Sequence, residues 1–148
     1  MLLPLLTTAL GGLMASTGVA VTHFFTERRN KKKFLIEKLE DAYLIVDSLG
    51  DWVGNQQAIM LGYKPDRTIE DPISRVVLVL QVYLQYSEDL IELIKKSHSD
   101  VINVILKMVL KQEEKDAVIS EFTAKRDILM KHKEEALFRI RDKISNLL

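Results

Sequence analysis

Hydrophobic residues are arranged in two different ways along this chain. From Leu2 to Phe25 they dominate a continuous stretch of 24 residues that holds no Asp, Glu, Lys or Arg. From residue 34 onward they recur at three- and four-residue steps between charged positions. The first pattern predicts a membrane-spanning helix. At 1.5 Å per residue the stretch extends about 36 Å, enough to cross a hydrocarbon core of roughly 30 Å. It runs into Glu27-Arg28-Arg29-Asn30-Lys31-Lys32-Lys33, and such a basic cluster holds one flank of a span in the cytoplasm. The expectation is a retained anchor over 1–26, with the N-terminus outside and the C-terminus cytoplasmic, in the plasma (inner) membrane. In a eukaryote the same features suit the mitochondrial outer membrane. A cleaved signal peptide competes with this reading, but it wants positive charge before an apolar core of roughly 7–15 residues. Here the charge follows a longer core, and the small residues Ala15-Ser16-Thr17 lie in its middle. A helix buried in a soluble core is the third reading.

The second pattern predicts helices. Phe34-Leu35, Leu39, Ala42-Tyr43, Val46, Leu49 and Val53 mark a helix with one buried face. Gly50 and Gly54 interrupt it, marking either a close helix–helix contact or a local break around Asp51-Trp52-Val53. Gly62 reads as its C-terminal cap, and 62–71 as a loop. Asp71 followed by Pro72 is a strong helix start. The second helix is expected to reach about Lys96, although the β-branched run Val76–Leu84 keeps a buried strand open as an alternative. Ser97-His98-Ser99-Asp100 reads as a break, with Ser99 or Asp100 capping a third helix. Val101–Leu110 is apolar enough for full burial, and Gln112–Asp116 is a polar knot where the chain turns or bends. Val118, Phe122, Leu129, Ala136, Ile140, Ile144 and Leu147 then form one long amphipathic face, with Lys125, His132 and Lys143 on or beside it. The expected fold is all-α: an N-terminal single transmembrane helix, then a three- or four-helix antiparallel bundle over 27–148. Whether the last two helices are continuous is left open by the pattern.

Charge changes the picture mainly by exclusion. The chain balances 21 basic against 21 acidic residues, with eight against nine over 27–71 and thirteen against twelve over 72–148. A nucleic-acid-binding domain is expected to carry a basic excess, so that class of partner is not indicated. Cysteine is absent, which removes disulfides, thiolate zinc sites and thiol nucleophiles together.

Candidate chemistry is sparse. Ser97-His98-Ser99-Asp100 holds the residue types of a hydrolase triad, yet neighbouring helical positions do not face one another. His23, His98 and His132 lack the paired spacings of a metal-binding bundle. Glu37, Glu40 and Asp41 read as a solvated face paired with Lys33 and Lys38. No catalytic residue, metal ligand, cofactor or small-molecule substrate is assigned, and the chain is not expected to be an enzyme.

Contact surfaces carry more information. Gly11, Ala15, Gly18 and Thr22 fall on one helical face, with Gly12 and Ser16 beside them. Small residues let spanning helices approach closely, so this face is a candidate interface with a second copy or another membrane protein. Arg28, Arg29, Lys31, Lys32 and Lys33 fix topology and attract anionic headgroups of the lipid bilayer. Trp52 is either a core aromatic or a partner contact. The expected function is a single-pass membrane interaction protein: an adaptor, scaffold or regulatory subunit. The alternative is a self-assembling membrane effector or pore subunit.

Overall fold

The computed structural model describes residues 3–65, 67–85, 87–110 and 114–148, with side chains from Thr22 onward. Among them are four α-helices and no strand: α1 (Leu3–Leu61), α2 (Ile73–Tyr83), α3 (Glu88–Val109) and α4 (Lys115–Ser145). The helix expected here is present over Ile73–Tyr83, and the strand alternative over Val76–Leu84 falls. The chain divides into two compact units, Met1–Lys38 and Leu39–Leu148, with the division falling within α1.

In the first unit the described side chains are exposed from Thr22 to Phe34, while Leu35, Ile36 and Lys38 are half-buried. Lys31 pairs with Glu27 one turn earlier at 2.7 Å. The hydrogen bond from Lys31, then its charge, lowers the Glu27 pKa. Phe24 and Phe25 meet edge to face with centroids 6.1 Å apart, and Lys38 lies 5.7 Å from the Phe34 ring centroid. Among the described residues no helix is long and apolar enough to cross a membrane. They therefore give no support to the span expected over 1–26, most of whose side chains lie outside them.

The second unit is an antiparallel helical bundle. Across α3 and α4, Lys107 meets Glu121 at 2.8 Å, Asp100 meets Lys125 at 3.2 Å, and Ser97 meets His132 at 3.3 Å. Partners descend along α4 as they ascend along α3, so the two helices run in opposite directions. The α1 residues Tyr43 and Gln57 meet Arg141 and Arg126 in the same sense. In this unit α1 and α3 are consequently parallel to each other, and both are antiparallel to α4. Leu39, Ala42, Val46, Leu49 and Val53 of α1 are buried with Val76, Leu80, Ile94, Val101, Val118, Phe122, Leu129, Ala136 and Ile140. Each large side chain among them contributes about 1.5–3 kcal/mol of apolar transfer, so this shared core sets the bundle's register.

The helix ends follow local chemistry. Gly62 has φ +92°, the left-handed conformation that closes α1. Its N–H donates to Ile59 O and that of Tyr63 to Ala58 O, the paired bonds of a Schellman cap. At the start of α2, Asp71 Oδ1 accepts from Ile73 N–H at 2.9 Å, and Val76 N–H closes the first helical turn onto Pro72 O.

Four further expectations need correction. The second helix ends at Tyr83 and does not reach Lys96; α3 begins at Glu88. Ser97-His98-Ser99-Asp100 lies inside α3 and forms no break. Val101 and Val104 are buried, but Leu106, Val109 and Leu110 are exposed, so Val101–Leu110 is not buried throughout. Gly50 and Gly54 also leave α1 unbroken, which corrects the local break weighed at Asp51-Trp52-Val53. Helices α3 and α4 are separate elements.

Candidate functional site

Of the polar residues that look like a turn in the sequence, Ser97 and His98 are turned inward, while Ser99 is exposed and Asp100 half-buried. Ser97 and His98 occupy adjacent positions on α3 and point toward different neighbours. Ser97 Oγ donates to Leu93 O at 2.7 Å, the usual way a helical serine satisfies itself, and lies 3.3 Å from His132 Nδ1. His98 is buried and stacks on Trp52 of α1, with ring centroids 4.9 Å apart and planes tilted by 32°. Its Nε2 reaches the Asp71 carboxylate at 2.9 Å. Asp71 therefore holds the first turn of α2 and, with the same carboxylate, the middle of α3. Burial lowers the His98 pKa below the ordinary histidine value, and the Asp71 charge and hydrogen bond only partly offset this. Near neutral pH the ring is uncharged, and Nε2 donates its proton to Asp71.

A second buried polar group faces α1 from α4. Lys133 is buried and places Nζ 2.9 Å from Asp47 and 3.3 Å from Glu134. Burial pushes the ammonium down, but the hydrogen bonds and charges of Asp47 and Glu134 outweigh it, so its pKa is raised. Gly50 lies under this ammonium: a Cβ there would come 3.1 Å from Lys133 Nζ. The glycine at 50 thus gives Lys133 its room.

Gly54, one turn on, has no such neighbour, since a Cβ added there meets nothing within 4 Å. It faces a shallow, widely open groove lined by Gly50, Asp51, Gly54, Asn55, Pro65, Arg67 and Ile69, between α1 and the loop that follows it. Asn55 is buried in its wall and donates from Nδ2 to Arg67 O at 2.7 Å. That bond fixes the amide orientation, because a flipped amide would set two oxygens against each other. The buried Oδ1 has no hydrogen-bond partner among the described residues.

Trp52 is 2% exposed, so the core reading describes its place, and its side chain offers no surface to a partner. Arg28, Arg29, Lys31, Lys32 and Lys33 are exposed in the first unit. Thr22 is exposed and its carbonyl accepts from Thr26 Oγ1 at 2.8 Å. The side chains of Gly11, Gly12, Ala15, Ser16 and Gly18 lie outside the described residues. Among those described, no three His, Asp or Glu residues gather closely enough to hold a metal ion.

Sequence reasoning missed the buried role of Lys133 and the second role of Asp71, because both depend on partners distant in the chain. The groove did leave a signal: a mid-helix glycine at 54, followed by an amide residue and later by a proline-containing loop. Compared with known proteins, the chain matches no protein family, no curated protein and no solved structure.

Proposed function

We propose that this is a single-pass, membrane-anchored interaction protein: an adaptor, scaffold or regulatory subunit with N-terminus outside and C-terminus cytoplasmic. The observation that carries this reading is the uncharged stretch Leu2–Phe25 meeting five basic residues within 28–33. The helical unit beyond it supports a role in contact: Leu106, Val109 and Leu110 lie exposed together at the end of α3, and Leu78 and Val82 lie one turn apart on α2. His98 with Asp71, and Lys133 with Asp47, tie α3 to the start of α2 and α4 to α1, an arrangement suited to fixing a shape.

A reporter fused after Leu148 tests the placement, and it should be protected from externally added protease in intact cells. Cross-linking in membranes tests the contact role, with a complex containing a second, different protein as the expected product. Exposure of the reporter outside, or a chain recovered only as monomer, overturns the reading. The second reading is the self-assembling effector, favoured by the small face of Gly11, Ala15, Gly18 and Thr22. It predicts a homo-oligomer that Gly11→Ile and Gly18→Ile disrupt while Leu13→Ile and Val19→Ile leave it intact.

A further inference from the structure

We draw no further inference here: the strongest candidate, the cleft between the last turn of α2 and the first turns of α3, with Leu78 and Val82 exposed on α2, carries nothing, because Lys95 already pairs with its Glu92 and Arg139 with its Ser87, and nothing in the structure shows what covers it.

Discussion

His98 is where a single residue exerts most leverage. Its burial disfavours the charged ring more than Asp71 favours it, so the folded protein holds a proton there less tightly than the unfolded chain. Stability from this group is therefore fully present above the ordinary histidine pKa and declines as pH falls through it toward the lowered folded value. Thermal unfolding of wild type should drop between about pH 7.5 and 5.5, and His98→Gln should show a smaller drop across the same interval. Equal drops would assign the acid sensitivity to other groups. Lys133 and Asp47 make an asymmetric pair, since the lysine side chain is 10% exposed and the aspartate 52%. Asp47→Ala leaves a buried ammonium with only Glu134 and should cost about 1–3 kcal/mol in denaturant unfolding. Lys133→Met keeps the stem and leaves Asp47 in water, so its cost should stay within about 1.5 kcal/mol. The reverse order would show that the lysine, not its partner, carries the pairing. None of this polar pairing is visible locally in the sequence, where Lys133 reads as one more charge in a charged helix.

At the scale of elements, the sequence shows helix faces well and helix ends only where special residues mark them. The buried α1 positions Leu39, Ala42, Val46, Leu49 and Val53 are those its three- and four-residue spacing picks out. Gly62 and Asp71 mark their boundaries because each supplies something the backbone itself cannot: a positive φ, and an acceptor for a first-turn N–H. The turn between α2 and α3 has neither Gly nor Pro, yet a signal exists in Ser87 followed by Glu88 and Asp89, acidic residues in the first turn of α3. That signal is masked by apolar spacing that continues across it. Ser97-His98-Ser99-Asp100 misleads in the opposite direction, because Ser97, His98 and Asp100 face His132, Asp71 and Lys125 from inside a helix, and Ser99 is exposed on its outer side. The two solvent-side glycines should separate in mutation. Gly62→Ala forces a Cβ into the left-handed region and should cost about 1–2 kcal/mol. Gly54→Ala should stabilise by up to about 1 kcal/mol, since its Cβ meets nothing and alanine favours helix. Circular dichroism during urea unfolding reads both. A destabilised Gly54→Ala would mean that the open space beside α1 is filled in solution.

The whole molecule is two units, and the boundary between them yields the last prediction. Charge patterning suggests cutting after the proposed anchor, at 26/27, whereas the compact bundle begins at Leu39, the first buried residue among the described side chains of α1. Residues 27–38 carry the basic run and no buried side chain. Fragments 27–148 and 39–148 should therefore both be helical. Their unfolding midpoints should lie close together in moderate salt, because the longer fragment adds mostly exposed helix, with Leu35 and Ile36 only half-buried, and its surface ion pairs contribute at most about 0.5 kcal/mol each. A small difference is expected at the new end: the shorter fragment leaves the first N–H groups of its helix uncapped beside Leu39, and that turn will fray. Fragment 45–148 provides the contrast, since it deletes Leu39 and Ala42 from the core and should lose about 2–5 kcal/mol, as removal of a buried leucine side chain does. Three midpoints from thermal scans decide the matter. If 39–148 is unfolded while 27–148 is folded, the basic segment is needed for folding, beyond the bilayer contact proposed for it. If 45–148 is as stable as 39–148, the first turns of the bundle contribute no core. The expected order, 27–148 close to 39–148 and both well above 45–148, places the whole stabilising core downstream of Lys38. It would leave the basic run free for the bilayer contact proposed for it.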